Sequence, residues 1–265
     1  MIASISIPFD EFSSFMRGPA LGPAKIHEAF HSDSANYFTE RGTDLKEHNE
    51  VVVIPAFQLP SGMAVTAAIE TNVAAVSSQY DKILTLGGDH SITYPVVKAV
   101  ARKFKNLSIL HIDAHPDLYD VFDGNKFSHA CPFARIMEEG LAQRLVQVGI
   151  RTMAKHQREQ ADRFGVEVVE MKDFDPSREY HFEGPVYISL DIDAIDPAFA
   201  PGVSHHEPGG FTTREVLTIL QRLKANVVAA DIVEFNPLRD PSGITAMLAA
   251  KLYKEMLDVL LRSKA

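Results

Sequence analysis

The chain has 265 residues, 46% of them hydrophobic and 23% charged, with 26 Lys and Arg against 35 Asp and Glu for a formal net charge of −9. The composition is that of an ordinary globular protein rather than a fibrous or disordered one, and the surplus of acid argues against a general binder of nucleic-acid phosphates. Cys131 is the only cysteine, which excludes an intrachain disulfide framework and a thiolate zinc site.

The N-terminal MIASISIPFDEF has neither a basic n-region nor a long apolar stretch, and no apolar run is long enough to span a bilayer. This reads as a cytoplasmic protein with no membrane partner. In chain order, apolar and often β-branched runs follow at ISI, VVVI (51–54), KILTL (82–86), LSILHI (107–112), LVQVGI (145–150), VEVVEM (166–171), VYISLDI (186–192) and VVAADIV (227–233). They predict about eight strands. Helical patterns lie between several of them: GMAVTAAIETNVAAVSSQ, ITYPVVKAVARKF, HACPFARIMEEG, TTREVLTILQRLKA and the C-terminal ITAMLAAKLYKEMLDVLLRS. Continuous apolar strands alternating with amphipathic helices predict a three-layer α/β/α fold with a mostly parallel sheet, and no linker or repeat divides residues 1–265. Gly140 and Gly165 follow helical patterns and read as C-terminal stops. The stretch from Pro197 to Gly210 reads as a long loop near the ligand-bearing strand ends.

Three strand ends carry polar clusters. HIDAHPDLYD places Asp113, His115 and Asp117 at alternate positions after the fourth run, so in an extended chain they share a face. SLDIDAIDP does the same for Asp191 and Asp193, and LGGDHS delivers Asp89 and His90 after a Gly-Gly turn. In a parallel sheet the carboxyl ends of strands form the ligand crevice, so the clusters can converge. His90, Asp113, His115, Asp117, Asp191 and Asp193 comprise four carboxylates and two imidazoles, a formal charge of −4 that two divalent cations would cancel. Oxygen-rich donors without thiolate favour a hard or borderline ion such as Mn(II). A pair of such ions supplies hydroxide at neutral pH. Asp196 before Pro197 reads as a turn residue, Gly87-Gly88 as a close backbone approach, His205 and His206 as loop groups or groups surrounding the ligands, and His111 and Asp89 as neighbours of the ligands.

The segments GGDHS, DAHPD and SLDIDAIDPAFAPG resemble the signatures of the ureohydrolases, the arginases, agmatinases and their relatives. HPDLYD, GNKFSHACPFARIMEEG, LVQVGIR and DPAFAPGVSHHEPGG are most similar to the plant-type arginases. The resemblance implies an arginase-like fold, two Mn(II) ions per chain, a small guanidino substrate and a homo-oligomer, trimeric or hexameric. It carries the metal ligands to His90, Asp113, His115, Asp117, Asp191 and Asp193, the proton shuttle to His129 in FSHAC, the guanidinium-binding carboxylate to Glu234 in DIVEFNP and an active-site threonine to Thr212. Asp117 would take up or steer the nucleophile's proton.

The expected reaction is hydrolysis of arginine to ornithine and urea, with agmatine or another guanidino compound as the alternative substrate. Asn125 and Lys126, just before His129, are candidates to meet the α-carboxylate that distinguishes arginine from agmatine. A two-metal phosphoesterase is disfavoured because Glu234 would repel phosphate, and a silent family member because the ligands, His129 and Glu234 are all present.

Overall fold

In the computed structural model, which describes residues 1–263, all eight predicted strands form: β1 (Ile2–Ile7), β2 (Val51–Val53), β3 (Lys82–Gly87), β4 (Ser108–Ile112), β5 (Arg144–Ile150), β6 (Glu167–Glu170), β7 (His181–Asp191) and β8 (Lys224–Val233). They make one sheet in the order β2-β1-β3-β8-β7-β4-β5-β6, and every pairing in it is parallel. Strands buried on both faces explain the uninterrupted apolar runs, since neither set of alternating side chains meets water.

Among the described residues seven helices cover the two faces: α1 (Gly22–Phe30), α2 (Ala64–Ser77), α3 (Thr93–Lys103), α4 (Pro132–Glu138), α5 (Lys155–Phe164), α6 (Thr213–Arg222) and α7 (Ile244–Arg262). Ile26 of α1, Val216 and Leu220 of α6, and Leu252 and Met256 of α7 pack with Leu110, Ile112, Ile188 and Leu190 on one face. Ile69 of α2, Val97 of α3, Phe133 of α4 and Ala161 of α5 pack with Ile109 and Tyr187 on the other. Each fully buried aliphatic or aromatic side chain contributes about 1.5–3 kcal/mol relative to exposure.

Helices α1 and α5 escape the sequence patterns. In α5, only Gln157, Gln160 and Ala161 are buried, so the helix has no apolar stripe to announce it. Gly165 ends it at φ 65°, and Gly140 follows α4 at φ 62°, both in the left-handed conformation expected of helix stops.

The strand order positions the site. Strands β7 and β8 fill the gap between β3 and β4, so the carboxyl ends of β3, β8, β7 and β4 lie side by side, where parallel sheets bind ligands. A close backbone approach shapes one edge: a Cβ on Gly88 would lie 1.8 Å from the Phe9 carbonyl oxygen, so only glycine lets the 9–18 loop settle over the end of β3.

Candidate active site

A cavity of about 360 Å³ opens at these strand ends, lined at its base by His115, Asp117, Asp191, Asp193, His129 and Glu234. Two of the six adopt backbone conformations rare for residues with a Cβ. Asp117 has φ 49° and Glu234 φ 64°. Such positions cost about 1–3 kcal/mol each and persist where surrounding contacts impose them; here Glu234 is held by a bond from its N–H to the Gly88 carbonyl (2.8 Å).

The predicted ligands converge. The Nδ1 atom of His90 lies 3.1 Å from Asp117 Oδ2, 3.1 Å from Asp191 Oδ2 and 3.2 Å from Asp113 Oδ2. It is buried, yet it has no hydrogen-bond partner. On the other side of Asp113, His115 Nδ1 stands 3.1 Å from Asp193 Oδ2 and 3.6 Å from Asp113 Oδ1. Asp113, His115 and Asp193 each offer a ligand atom, all within 4.8 Å of one another. Burial and repulsion from neighbouring carboxylates, Asp193 and Asp113 for Asp191 and Asp113 and Glu234 for Asp193, push the carboxyls of both upward. Burial would raise Asp113 as well, but His111, His115 and His90 hold it well below the carboxylate range. Burial likewise opposes charge on His90 and His115, yet the surrounding aspartates raise both well above the ordinary histidine value. The cluster draws positive charge inward. A cation attracts every donor atom without the alignment a hydrogen bond needs, so the donor set fits metal ions.

Beneath the cluster runs a polar row, in register across five strands: Gln147 of β5 pairs with His111 of β4, His111 with Ser189 of β7, Ser189 with Asp231 of β8, and Asp231 with Thr85 of β3. All five are fully buried. Asp231 accepts from Ser189 Oγ (2.7 Å), Tyr187 OH (2.6 Å) and Thr93 Oγ1 (2.7 Å). Because the Ser189 proton is directed to Asp231, Ser189 Oγ must accept from His90 Nε2 (3.0 Å), which leaves Nδ1, facing the carboxylates, as the nitrogen that can give up its proton and offer a lone pair to a cation. The same logic removes His111 from the ligands. The Gln147 side-chain amide donates to its Nδ1 (3.0 Å), so its Nε2 carries hydrogen and donates to Asp113 Oδ2 (2.6 Å). His111 orients Asp113, as a neighbour should.

On the cavity side, His129 Nδ1 donates to Glu234 Oε1 (2.8 Å), which also accepts from the His90 backbone N–H (2.9 Å). Burial would lower the His129 pKa, but the Glu234 charge outweighs it and lifts the imidazole to about 9. His129 in turn holds Glu234 low against the effect of burial. At His129 Nε2 stand the Ser14 hydroxyl (2.8 Å) and the Ser14 backbone N–H (3.1 Å). One can accept a hydrogen bond and the other only donates, which suits a nitrogen that changes protonation state. Asp89 fixes this arrangement: Oδ2 accepts from the Phe12 N–H (3.2 Å) and Ser13 Oγ (3.1 Å), tying the loop to β3. Its carboxyl is pushed up to about 7 by burial and by Glu234.

Three expected substrate residues lie elsewhere. Thr212 caps α6: its Oγ1 accepts from the Glu215 N–H (3.2 Å) and donates to the Glu215 carboxylate (2.8 Å), and it does not line the cavity. Asn125 sits in a tight turn, its Oδ1 accepting from the Phe127 N–H (2.9 Å). Lys126 places its ammonium over the Phe127 ring, 5.1 Å from the centroid, and belongs to a separate depression with Tyr94 and Arg135. Both were expected to meet substrate, and local turn geometry turns both away. The cavity is lined instead by residues that the sequence did not single out, among them Ser14, Tyr119, Thr152 and Gln157, together with His205 from the 197–210 loop. Asp196 is the turn residue expected, accepting from the Ala198, Gly209 and Gly210 N–H groups (2.9, 2.6 and 3.1 Å). Arg151 straps that loop to the site, donating to the carbonyls of Asp193 (2.6 Å), Ala194 (3.1 Å) and Glu207 (2.9 Å).

Comparison with known proteins agrees with the fold. The model of the Arginase family matches residues 1–258. Arginase 1, mitochondrial, of Arabidopsis thaliana is 48% identical over 269 residues, covering 95% of this chain and 79% of the relative. The guanidino acid hydrolase of Homo sapiens is 40% identical over 280 residues, 97% of this chain and 78% of its own. The structure of arginase from Medicago truncatula superposes with a TM-score of 0.92 at 42% identity, covering 99% of this chain and 87% of that one. The cytoplasmic location expected from the N-terminal residues is corrected by these relatives: the arginases of Arabidopsis thaliana and Oryza sativa at 48% identity are named as mitochondrial proteins. Addresses of that kind are read apart from the catalytic fold, so the residues that build the site are silent about them. With its fold and nearly its whole length matched, the chain is a member of the arginase family.

Proposed function

We propose that the chain hydrolyses arginine to ornithine and urea at a centre of two Mn(II) ions. The observation that carries this reading is the buried, unpartnered Nδ1 of His90, facing three carboxylate oxygens within 3.2 Å in the cavity that also holds Glu234. His90, Asp113, His115, Asp117, Asp191 and Asp193 would hold the ions. Bound there, the ions would supply the positive charge that makes a hydroxide nucleophile available at neutral pH.

The chain's own residues do the rest. A guanidinium carbon is a poor electrophile in a delocalised planar cation, so the group must be held in line for attack. Glu234 suits this role: Oε1 is occupied by His129 and the His90 N–H, while Oε2 has no hydrogen-bond partner among the described residues. Asp117 receives the proton of the attacking water. His129 protonates the departing amine through Nε2, with Ser14 against that nitrogen. Water adds to the guanidinium carbon, the bond to the alkyl-bearing nitrogen breaks, and urea and a protonated amine leave.

The relatives named arginases support arginine as the substrate. Among the described residues the cavity walls include no Lys or Arg, so the cationic groups an α-carboxylate could meet there are imidazoles, and agmatine is the necessary comparison. We propose residues 1–265 as one catalytic unit, since all eight strands share one sheet. The exposed Leu238, Ile244 and Met247 support assembly into a homotrimer or homohexamer. The relatives' names support a mitochondrial location.

The test strips metal with a chelator, restores Mn(II), and measures urea released from arginine, agmatine and guanidinobutyrate, with metal content by elemental analysis. About two ions per chain and fastest release from arginine are expected. One ion at saturation overturns the binuclear centre, a preference for agmatine overturns the substrate, and no urea from any of the three overturns the reaction.

A further inference from the structure

We propose that His205 forms the wall of the cavity against which the flat face of the substrate guanidinium packs, and so sets affinity for guanidino compounds. The inference rests on the reading of the cavity as a guanidino site and adds to it a contact that the metal-binding segments do not supply.

His205 stands among the groups that bound the reacting region. Its ring centroid is 5.4 Å from that of His129, 5.9 Å from that of His115 and 5.6 Å from that of Phe15, and it lines the same cavity as Glu234. Among the described residues, neither of its ring nitrogens has a hydrogen-bond partner, and it belongs to neither group of converging ligand atoms. It is therefore neither a structural histidine tied to backbone nor part of the metal cluster.

The ring is nonetheless held in place. Ser204, its neighbour, donates to the Met16 carbonyl (3.2 Å) and accepts from Asn236 Nδ2 (2.9 Å). Two residues onward, the Glu207 carbonyl is bound by Arg151. A loop anchored on both sides of one unpaired ring presents that ring to the cavity.

Guanidinium has two different surfaces to satisfy. Its N–H edge takes a carboxylate, the part given to Glu234, while its weakly hydrated faces favour a flat aromatic surface over water. Phe15 adds a second aromatic ring beside His205, at a 52° tilt.

The test compares His205→Ala, His205→Phe and His205→Asn in the Mn(II)-reconstituted protein, reading KM and kcat for arginine, calorimetric binding of guanidinium chloride, and metal content. Loss of the face in Ala and Asn is expected to raise KM and weaken guanidinium binding by about 2- to 30-fold. In Phe, both should stay near wild type, and kcat and metal content should hold in all three. Wild-type affinity in His205→Ala overturns the proposal, as does rescue by Asn rather than Phe, which would mark a hydrogen bond, or loss of metal, which would mark a ligand. If wild type binds guanidinium but releases no urea, hydrolysis fails and the comparison of variants still decides the role of His205. If wild type does not bind guanidinium at all, the proposal fails.

Discussion

The floor and the rim of the cavity are built in opposite ways. On the floor, most side-chain nitrogens and oxygens have an assigned partner: His111 is fixed by Gln147 and Asp113, His90 by Ser189, Ser189 by Asp231, and His129 by Glu234. Among the atoms left over, His90 Nδ1 and Glu234 Oε2 face the cavity groups and are aimed at a cation or a substrate, while Thr85 Oγ1 and Gln147 Oε1 are unpaired deeper in the row. At the rim, His205 has no hydrogen-bond partner and neighbours come from loops that reach the cavity from the N-terminal segment, the 115–122 region and the 197–210 stretch. Chemistry sits where the backbone is rigid and tautomers are fixed. Discrimination among substrates sits where polar groups are still free to pair.

That contrast can be broken at three depths. The largest expected effect is at His129. Replacement by Ala should lower turnover by a factor of about 10²–10⁴ while leaving Mn(II) content unchanged, because proton delivery is lost and no ligand is. Metal loss would place His129 on the wrong side of the comparison. The same residue carries a pH signature in the metal-free protein: its folded pKa is raised from 6.5 to about 9, so its pairing with Glu234 stabilises fully below about 6.5 and is lost as pH rises through about 9. Because His90 and His115 titrate in the same direction, thermal unfolding from pH 6 to 10 should show a larger loss in wild type than in His129→Gln.

A middle effect is expected one layer below the metal cluster. Asp231→Asn retains the shape but replaces one accepting oxygen by a donor, so the order of protons from Ser189 to His90 is no longer dictated. Metal affinity, read by competition with a chromogenic chelator, should fall by about 10- to 100-fold. Unchanged affinity would mean that the polar row supports the sheet and not the site.

The smallest effects belong to the residues that the fold turns away. Thr212→Ala should cost about 1 kcal/mol of stability through the lost helix cap, with KM unchanged for both arginine and agmatine. Lys126→Ala should leave both KM values at wild type. A selective rise in the arginine KM of Lys126→Ala would return that lysine to the substrate site.

These outcomes follow how each residue could be read. The spacing of Asp113, His115 and Asp117, and of Asp191 and Asp193, is legible because strand side chains alternate faces and acidic groups are conspicuous after an apolar run. The Thr212 assignment was avoidable: Thr212-Thr213-Arg214-Glu215 has the Thr-x-x-Glu spacing of a capping box, and its cap is what the structure shows. Asp123-Gly124-Asn125 similarly signals a turn, with Asp123 at φ 49° and Gly124 at φ 76°. No comparable signal marked α5, whose buried side are glutamines and an alanine.

By itself, the sequence determined the eight strands, their parallel arrangement and the strand-end carboxylates, because periodicity and charge are local properties that survive in one dimension. Only the tertiary structure decided the register that lines up Gln147, His111, Ser189, Asp231 and Thr85, since each is a lone polar residue in its own strand and gains meaning from its neighbour across the sheet. It also decided which loop residues reach the cavity. Ser14 lies 115 positions from His129, and contacts at that separation depend on how the loops close over the sheet rather than on any pattern the chain carries along its length.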